Sequence, residues 1–533
     1  MNRKGQALIV SYLVVVSFLV YAASLLTKAI SEQNIAERSR LTAETFYMAE
    51  GATEAAIAAF AADLANFVIT SDTQTYTTTT TFASLGNATV NSTISRLEQN
   101  ERLVTEGDTK IYVCNYEIVS TASHPSNSDI TVTVHQIIAR RLIPTFQHAV
   151  FYNDDLEILP GAAMTLSGRI HSNEDIYVHS RDTLTIDSFY FRSAGEILNR
   201  RKDDPEDPMG GTVNIRENKP GSPQYEAMDG LDSSDAGWLA DSTERWNGTV
   251  QSASHGVTNL TTPAVGSIQP SGYYASRANV VITDNTIVKN GVALAEGTDY
   301  PAGTITSTTS FYNNREGKYV KMSKVDLEKL SGRSGTCDGS ACPNNLPSNG
   351  LMYVTRTDAG SFEPGVELVN GSQIDRNAGL TVVSNQPVYV KGNYNTVSEK
   401  PTAIIADALN LLSNNWNDSN STSSVNSRIA NATTINCAFV AGVEPSSEGS
   451  YNGGLENYPR LHEKWSGTAL TIKGSFVELW ESHVASGAWQ YGEPQYTAPN
   501  RNWSYNTSYN TLANLPPFTP MAVEARRLAW WQD

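Results

Sequence analysis

The sequence predicts an α+β protein in which a long N-terminal helix is followed by a small antiparallel sheet and then by a mostly-β ectodomain. Three observations predict this class. An uncharged apolar run lies near the N-terminus, and the pattern changes to an alternation of period two at about Thr75. Only 17% of the residues are charged, whereas Thr, Ser, Asn and Gly are abundant. Such a composition favours strands and turns over helical bundles.

The first element is an apolar segment from Ala7 to Leu26 that contains no charge and no proline. About 20 helical residues span roughly 30 Å, the thickness of the hydrocarbon core of a bilayer. Arg3 and Lys4 precede the segment, and positive charges stay on the cytoplasmic side. The sequence therefore predicts a single-pass anchor in the cytoplasmic membrane, with the ectodomain outside. The predicted anchor residues include Ala7, Leu8, Val10, Leu19 and Leu26.

The helix is expected to continue without a break to about Phe67, because the segment after Leu26 is rich in Ala, Glu, Leu and Arg. Apolar residues recur in it at spacings of three and four, with charges between them, which indicates an amphipathic face. We therefore expect one helix over residues 6–67, whose second half lies against protein. The predicted face consists of Ile35, Leu41, Phe46, Met48, Ala52, Ala56, Phe60 and Leu64.

Two motifs in this helix resemble a known family. Lys4-Gly5 is followed directly by QALIV, and residues 46–52 read FYMAEGA. In these motifs the chain resembles the PilX-type minor pilins among the type IV pilins, and it is similar to the K-type minor pseudopilins of type II secretion. The resemblance implies that a prepilin peptidase removes the leader 1–5 by cutting between Gly5 and Gln6. It also implies pilin or pseudopilin subunits as partners, in the bacterial inner membrane and then in a cell-surface filament.

The sequence departs from the major pilins at two positions. Those proteins usually have Phe at the first mature position and Glu at the fifth, where this chain has Gln6 and Val10. In the family the Glu is thought to neutralise the amino terminus of a neighbouring subunit inside the apolar filament, where an unpaired charge is costly. Its absence favours a structural subunit at an initiating or tip position.

Alternating runs after the helix predict a small antiparallel sheet over residues 68–144 that covers the amphipathic half of the helix. The predicted strands are Thr75–Thr79, Ala88–Ile94, Lys110–Ser120 and Ile130–Arg140.

Residues 145–533 form the predicted β-rich ectodomain. Short apolar runs bounded by Gly or Asn, such as Ala149–Tyr152 and Ala403–Leu411, are typical of a parallel β-helix-like stack, in which each coil buries its face against the next. A polar stretch at about 192–374 indicates a long loop insertion. Within it, Phe311–Leu330 is the one segment that predicts order, as a strand pair leading to a short helix.

The sequence offers little for catalysis. No cofactor or metal is expected, because the eight histidines lack metal-binding spacing and the four cysteines form no paired CxxC pattern. No hydrolase or nucleotide-binding motif is present, so we expect no enzyme. A net charge of −17 with no basic stretch argues against nucleic acid as a partner. Cys337 and Cys342 are close enough in sequence for a disulfide, which fits an oxidising compartment.

Several alternatives remain at this level. The N-terminus fits an ordinary signal peptide cut after Ala22 or Ala23, or a plain anchor without a filament role. A β-helix protein that binds or cleaves polysaccharide is a further possibility, with Asp175 and Asp407 as the carboxylates to test. A tip adhesin would use exposed aromatic residues, for which the candidates are Tyr451, Tyr458, Trp465, Trp480 and Trp503.

Overall fold

The computed structural model describes residues 3–65, 75–107, 109–208, 210–219, 221 and 223–533. The end of the predicted helix at Phe67 lies outside this range. The helices are α1 (Arg3–Ala65), α2 (Trp238–Trp246), α3 (Tyr273–Arg277) and α4 (Leu327–Leu330).

The longest strands lie near the two ends of the chain. Strands up to the middle of the chain are β1 (Thr75–Phe82), β2 (Ala88–Arg96), β3 (Arg102–Glu106), β4 (Thr109–His124), β5 (Asn127–Pro144), β6 (Val150–Tyr152), β7 (Leu156–Ile158), β8 (Met164–Ser167), β9 (Ile170–Ser172), β10 (Ile176–Val178), β11 (Thr183–Asp187), β12 (Phe191–Ser193), β13 (Ile197–Leu198), β14 (Thr212–Arg216), β15 (Tyr225–Ala227) and β16 (Val250–Gln251). The remaining strands are β17 (Val280–Thr283), β18 (Thr286–Lys289), β19 (Val292–Ala293), β20 (Ile305–Asn313), β21 (Lys318–Asp326), β22 (Thr336–Cys337), β23 (Ser340–Ala341), β24 (Leu351–Thr355), β25 (Glu363–Val369), β26 (Leu380–Val383), β27 (Val388–Lys391), β28 (Thr402–Ala406), β29 (Leu409–Leu412), β30 (Thr433–Ala441), β31 (Arg460–Leu461), β32 (Ala469–Glu478), β33 (Asn500–Tyr505) and β34 (Met521–Gln532).

The head is an antiparallel sheet in the order β1-β2-β4-β5-β34, with β3 paired to β4, and it packs against α1. The four predicted strands correspond to β1, β2, β4 and β5. The sequence did not predict β34, the last strand of the chain, which pairs with β5 in antiparallel register. The head therefore combines the second half of α1 with the last strand of the chain.

The ectodomain begins with a three-sided stack of short parallel strands. Strands β6, β9, β12 and β16 pair in sequence along one side, β7, β10 and β13 along the second, and β8, β11 and β14 along the third. Each coil contributes one strand to each side, and the next coil repeats the order. The polar corners between sides carry the Gly and Asn residues.

A second stack has two parallel walls. One wall runs β17-β24-β26-β28-β30-β32, and the other runs β21-β25-β27-β29-β31. Its last strand, β32, pairs in parallel with β6, the first strand of the first stack. The chain therefore enters the ectodomain at β6, where the two stacks meet. The first stack extends from β6 in one direction. The second stack begins at its far end with β17 and finishes at β32, beside β6.

A single ladder of apolar side chains passes through both stacks. Its members lie in register from strand to strand, and each is at most 5% exposed. In spatial order they are Val280, Met352, Val382, Ile404, Phe439, Phe476, Val150, Ile170, Phe191 and Val250. All belong to one continuous hydrophobic core. Neighbouring coils therefore share the apolar burial that no coil achieves alone.

The range 192–374 contains more regular structure than the sequence predicts. Strands β20 and β21 form an antiparallel pair that leads into α4, as expected for Phe311–Leu330. The prediction that this is the one ordered segment is wrong, because β13 to β19, β24, β25, α2 and α3 also lie in the range. These strands are mostly very short, and neighbouring coils supply their partners, so their own sequence shows little periodicity.

A disulfide joins Cys337 to Cys342, whose Cα atoms are 5.0 Å apart, across the hairpin of β22 and β23. Cys114 and Cys437 are free and buried in separate clusters, the first in the head and the second in the ectodomain core. Burial raises the pKa of the Cys437 thiol, which keeps it protonated and unreactive.

The ladder predicts a large effect of Phe439→Ala. Removing this ring leaves a cavity between Ile404 and Phe476, and we expect a loss of about 3–5 kcal/mol of stability. Thermal unfolding of the full chain in detergent measures it as a lowered midpoint. The matched control is Phe362→Ala, since Phe362 is 38% exposed and should shift the midpoint little. Equal shifts for the two variants would contradict the role of the ladder.

Candidate assembly surface

The first half of α1 has no contact that buries it. Every residue from Gly5 to Arg40 is exposed, including the predicted anchor residues Leu8, Leu19 and Leu26, which are 75%, 64% and 63% exposed. An 18-residue window of this helix has a mean hydropathy of 2.3, and none of it is buried inside the protein. By length and composition the segment is able to cross a membrane. Ala7 and Val10 lie in the same exposed segment.

Two hydroxyl groups in the exposed part of α1 are satisfied by the helix itself. The Ser11 hydroxyl donates to the Ala7 carbonyl at 2.9 Å, and the Thr27 hydroxyl donates to the Ala23 carbonyl at 2.9 Å. A hydroxyl bonded to its own backbone needs no water. These two groups are therefore compatible with an apolar surrounding such as lipid.

The second half of α1 packs under the head sheet. Met48, Ala52, Ala56 and Phe60 are at most 1% exposed, and Leu41 is 8% exposed. These positions of the predicted amphipathic face are buried as expected, and small alanines let the helix approach the strands closely.

Three positions of that predicted face differ from the rest. Ile35 is 63% exposed, so its assignment to the buried face is wrong. It precedes Leu41, where contact with the head begins. Phe46 is half-buried, and the side chain of Leu64 lies outside the described part of the chain.

A short polar seam fixes the helix on the sheet. The Thr53 hydroxyl donates to Ser120 Oγ at 2.8 Å, Ser120 lies 2.7 Å from Ser92 Oγ, and Ser92 donates to the Ala52 carbonyl at 3.2 Å. All three side chains are buried. Because buried hydroxyls are costly without partners, the seam specifies one position of the helix along the strands.

Ion pairs at the rim add to this contact. Glu44 lies 3.0 Å from His124 of β4, and this hydrogen bond lowers the pKa of the Glu44 carboxyl. Glu54 receives two hydrogen bonds from Arg527 of β34, at 2.6 and 2.7 Å. Phe46 meets Trp530 edge to face, with ring centroids 6.1 Å apart. The last strand of the chain therefore contacts α1 as well as β5.

Gly5 and Gln6 lie in the first turns of α1, and both are exposed. A Cβ at Gly5 would meet nothing within 4 Å in the folded chain, so nothing in the described fold requires glycine there. Glycine inside a helix costs about 1 kcal/mol relative to alanine. The turn at Gly5 is thus weakened, which favours local unwinding.

The carboxylates weighed for catalysis have structural roles. Asp407 is 1% exposed and accepts hydrogen bonds from the backbone N–H groups of His483, Val484 and Ala485 at 2.6, 3.0 and 2.9 Å. Asp175 accepts from the backbone N–H of Glu196 in the next coil at 2.7 Å. Both hold the stack together. Among the described residues no group of three or more His, Cys, Asp or Glu side chains is placed to hold a metal ion.

Several acidic side chains are buried in the ectodomain. Burial raises the pKa of Glu157 to about 7, of Glu363 to about 8 and of Glu463 to about 7. Burial also lowers the pKa of His171 to about 4 and of His462 to about 3. These groups favour their neutral forms because the surrounding core solvates charge poorly.

The aromatic residues proposed for a tip adhesin are mostly unavailable. Tyr458, Trp465, Trp480 and Trp503 are at most 9% exposed, so their assignment as exposed contacts is wrong. Tyr451 is half-buried and donates to Glu456 at 2.8 Å. These rings complete the core of the second stack, the usual place for large aromatic side chains.

These features define a protein whose long helix exposes an apolar segment near one end and carries a mostly-β ectodomain at the other end. No protein-family profile and no curated protein matches the sequence. A solved structure found by comparison is the competence-associated pilin ComZ from Thermus thermophilus, with 9% identity, 92% of this chain and 97% of that chain covered, and a TM-score of 0.27. At this TM-score the likeness carries no argument, so the function must be inferred from the chain itself.

The packing of α1 predicts that Ala52→Leu is destabilising. Ala52 is fully buried between the helix and the sheet, and overpacking such a site costs about 1–3 kcal/mol. The midpoint of thermal unfolding of the head, followed by circular dichroism in detergent, should fall. Ala55→Leu on the exposed side of the same helix is the control and should change the midpoint little. A larger effect at Ala55 would contradict the orientation of α1.

The buried Glu463 predicts a pH-dependent stability. Its carboxyl has a pKa of about 7 in the folded chain and an ordinary value of 4.5, so its stabilising contribution is complete below pH 4.5 and is lost as the pH rises through 7. Glu463→Gln should therefore gain stability over the parent between pH 5 and pH 8, by up to about 3 kcal/mol. Thermal midpoints across this range measure the difference.

Comparing each variant with the parent removes the opposite contribution of His171 and His462, which both chains share. Glu448→Gln, at an exposed carboxyl, is the control and should follow the parent at every pH. A constant difference between Glu463→Gln and the parent from pH 5 to pH 8 would show that Glu463 does not titrate as inferred.

Proposed function

We propose that the chain is a structural minor pilin or pseudopilin-like subunit that takes part in assembly of a type IV pilus or a type II secretion pseudopilus. A prepilin peptidase would remove the leader 1–5 between Gly5 and Gln6. The mature chain would then be held in the inner membrane by Ala7 to Leu26, and α1 would pass from lipid into a bundle with α1 of other subunits.

One observation carries this proposal: α1 is exposed over Gly5 to Arg40, including its whole apolar run from Ala7 to Leu26, while the same helix continues into the core of the head. An anchor alone needs about 20 apolar residues, but here the exposed helix continues for several turns beyond Leu26. Apolar surface that packs equally well against lipid or protein suits a subunit that leaves the bilayer to polymerise.

A minor position, at the initiating end or tip, is favoured by two features. Val10 stands where a bulk subunit would carry a carboxylate to neutralise its neighbour's amino terminus. The ectodomain after Pro144 is also much larger than the head sheet, and a filament built of such subunits alone would have to repeat this bulk at every step. Both features are easier to accommodate where few copies are present.

We further infer that the ectodomain is a parallel β-helix-like display module. Its parallel strand pairs and the continuous apolar ladder support this class. The rigid stack would project from the head, and its many corners provide surface for binding. The backbone hydrogen bonds that Asp175 and Asp407 accept support structural roles for these two carboxylates.

The first test is the N-terminal residue of the mature protein. We expect mass spectrometry to find a chain that starts at Gln6 when a prepilin peptidase is co-expressed, and an uncut chain when it is absent. Gly5→Val should abolish cutting, because a peptidase that accepts the unwound turn at Gly5 has little space for a branched side chain.

Two controls make the result specific. Gly51→Val changes a helical glycine of the same α1 far from the leader and should leave processing intact. The matched strain without peptidase excludes cutting by other enzymes. A chain starting at Ala23 or Ser24, with or without the peptidase, would instead identify a signal peptide and overturn the proposal.

A further inference from the structure

A cleft lies beside the join between the two stacks, where β32 pairs with β6. It has a volume of about 320 Å³. Its walls come from the turn between β6 and β7, from β7 itself, from the corner after β9, and from the segments that follow β13, β30 and β32. Pockets for small ligands commonly measure about 300–1,000 Å³. A molecule bound here would contact both stacks at once.

Carboxylates dominate the lining of this cleft, and Lys202 is its one basic residue. Asp155 is already engaged, since it pairs with Lys202 at 2.6 Å and accepts from the backbone N–H of Asp175 at 2.9 Å. Six further carboxylates line the cleft, and no lysine, arginine or histidine of the described ranges forms an ion pair with them. They are Asp154, Glu157, Glu174, Glu444, Glu478 and Glu481.

Two arginines act on the cleft from outside its lining. Arg315 and Arg460 both act to lower the pKa of Glu444, but burial is the larger cause and raises it above the ordinary value. Both guanidiniums also have other partners. Arg460 pairs with Glu316 at 2.7 Å, and Arg315 donates to the Gly487 carbonyl at 2.7 Å. The negative charge of the cleft is therefore only partly compensated.

Two of the lining carboxylates are buried and have an oxygen without a donor. Glu478 is 2% exposed, and its Oε2 accepts from the backbone N–H groups of Asn153 and Asp154 at 3.0 and 3.1 Å. Its Oε1 has no hydrogen-bond partner among the described residues. Glu157 is 6% exposed, and its Oε2 also has none in that part of the chain. Because a buried acceptor without a donor is costly, these two oxygens indicate a ligand that donates hydrogen bonds.

The acid–base properties of the two buried groups agree with this. Burial raises the pKa of Glu157 to about 7, although a hydrogen bond from Ser446 and the charge of Lys202 act in the opposite direction. Burial and the neighbouring carboxyl of Asp154 raise the pKa of Glu478 well above its ordinary value. Such surroundings favour a proton or another cationic group beside each carboxylate.

Apolar surface lies between the carboxylates. It is contributed by Tyr152, Val443, Pro445 and Leu455. Methylene chains that end in a charged group pack against apolar surface while the charged group bonds elsewhere, as lysine side chains do. The lining therefore matches a flexible chain of methylene groups that carries more than one ammonium group.

We propose that this cleft binds an aliphatic polyamine, with ammonium groups on Glu478 and Glu157 and with the methylene chain on the apolar wall. An ammonium group brings three donors and a positive charge, and its hydrogen bonds to carboxylates are charge-assisted. The exposed carboxylates of Glu174 and Glu481 hold a further ammonium group at the rim. This proposal goes beyond the assembly role and does not depend on how the N-terminus is processed.

A divalent metal ion fits the cleft less well. Within the described ranges no three acidic, histidine or cysteine side chains converge closely enough to coordinate one ion. A compact ion would also leave the apolar wall without a contact. The donors of a polyamine are spaced along a chain, so they can reach carboxylates that lie apart.

Isothermal titration of the full chain in an uncharged detergent with spermidine tests the proposal. The matched probe is N1,N8-diacetylspermidine, which keeps the chain and the central amine but loses the charge of both terminal amines. We expect spermidine to bind at least tenfold more tightly than the diacetyl derivative. Spermidine should also raise the midpoint of thermal unfolding, because it binds the folded ectodomain across the join of the two stacks.

Three substitutions locate the site. Glu478→Gln keeps an acceptor for the two backbone N–H groups but removes the charge, and it should weaken spermidine binding at least tenfold. The double variant Glu174→Gln, Glu481→Gln should weaken it severalfold. If Glu478→Gln unfolds at a lower temperature, the double variant decides the question, since both of its side chains are exposed and contribute little to folding.

Glu244→Gln is the control variant, because Glu244 is an exposed carboxylate of α2 outside the cleft. It should bind spermidine as the parent does. Equal affinity for spermidine and its diacetyl derivative would overturn the proposal, as would unchanged binding by the double variant. Displacement of spermidine by magnesium ions at equal total charge would show general attraction of cations instead of a polyamine site.

Discussion

The parallel pairing of β32 with β6 is the contact on which the rest of the ectodomain depends. A strand of three residues such as β6 cannot bury an apolar face alone, and each coil is stable only between two others. Pairing β32 to β6 joins a stack built early in the chain to one built late. It makes one ladder out of two, with Phe476 against Val150 at the join. Without this pair both stacks would end in open, apolar edges.

The same closure connects the ectodomain to the head. The chain enters the stack from β5 and leaves it by β34, which returns to pair with β5. Because β34 also contacts α1 through Arg527 and Trp530, the helix, the head and the stack form one continuous set of contacts. A force applied to the exposed end of α1 would therefore be transmitted to the long antiparallel strands β4 and β5.

Charged groups within the stack are used in two different ways. Asp407 and the pair of Glu316 with Arg460 are buried and satisfied by backbone groups or by each other, so they fix turns between coils. Arg169 and Arg192 also contact an aromatic ring, since their guanidinium groups lie 3.6 and 4.2 Å from the ring centroid of Tyr190.

The sequence by itself determined the elements whose signal is local. The length of α1, the buried positions Met48, Ala52 and Phe60, and the strands β1, β2, β4 and β5 follow from periodicity between near neighbours along the chain. It could not place Ile35, which is exposed because the sheet does not extend that far. Nor could it predict β34 or the join of β32 with β6. Only the tertiary structure decided these features, because each depends on contacts between segments far apart in the chain. Local side-chain patterns contain no information about such contacts.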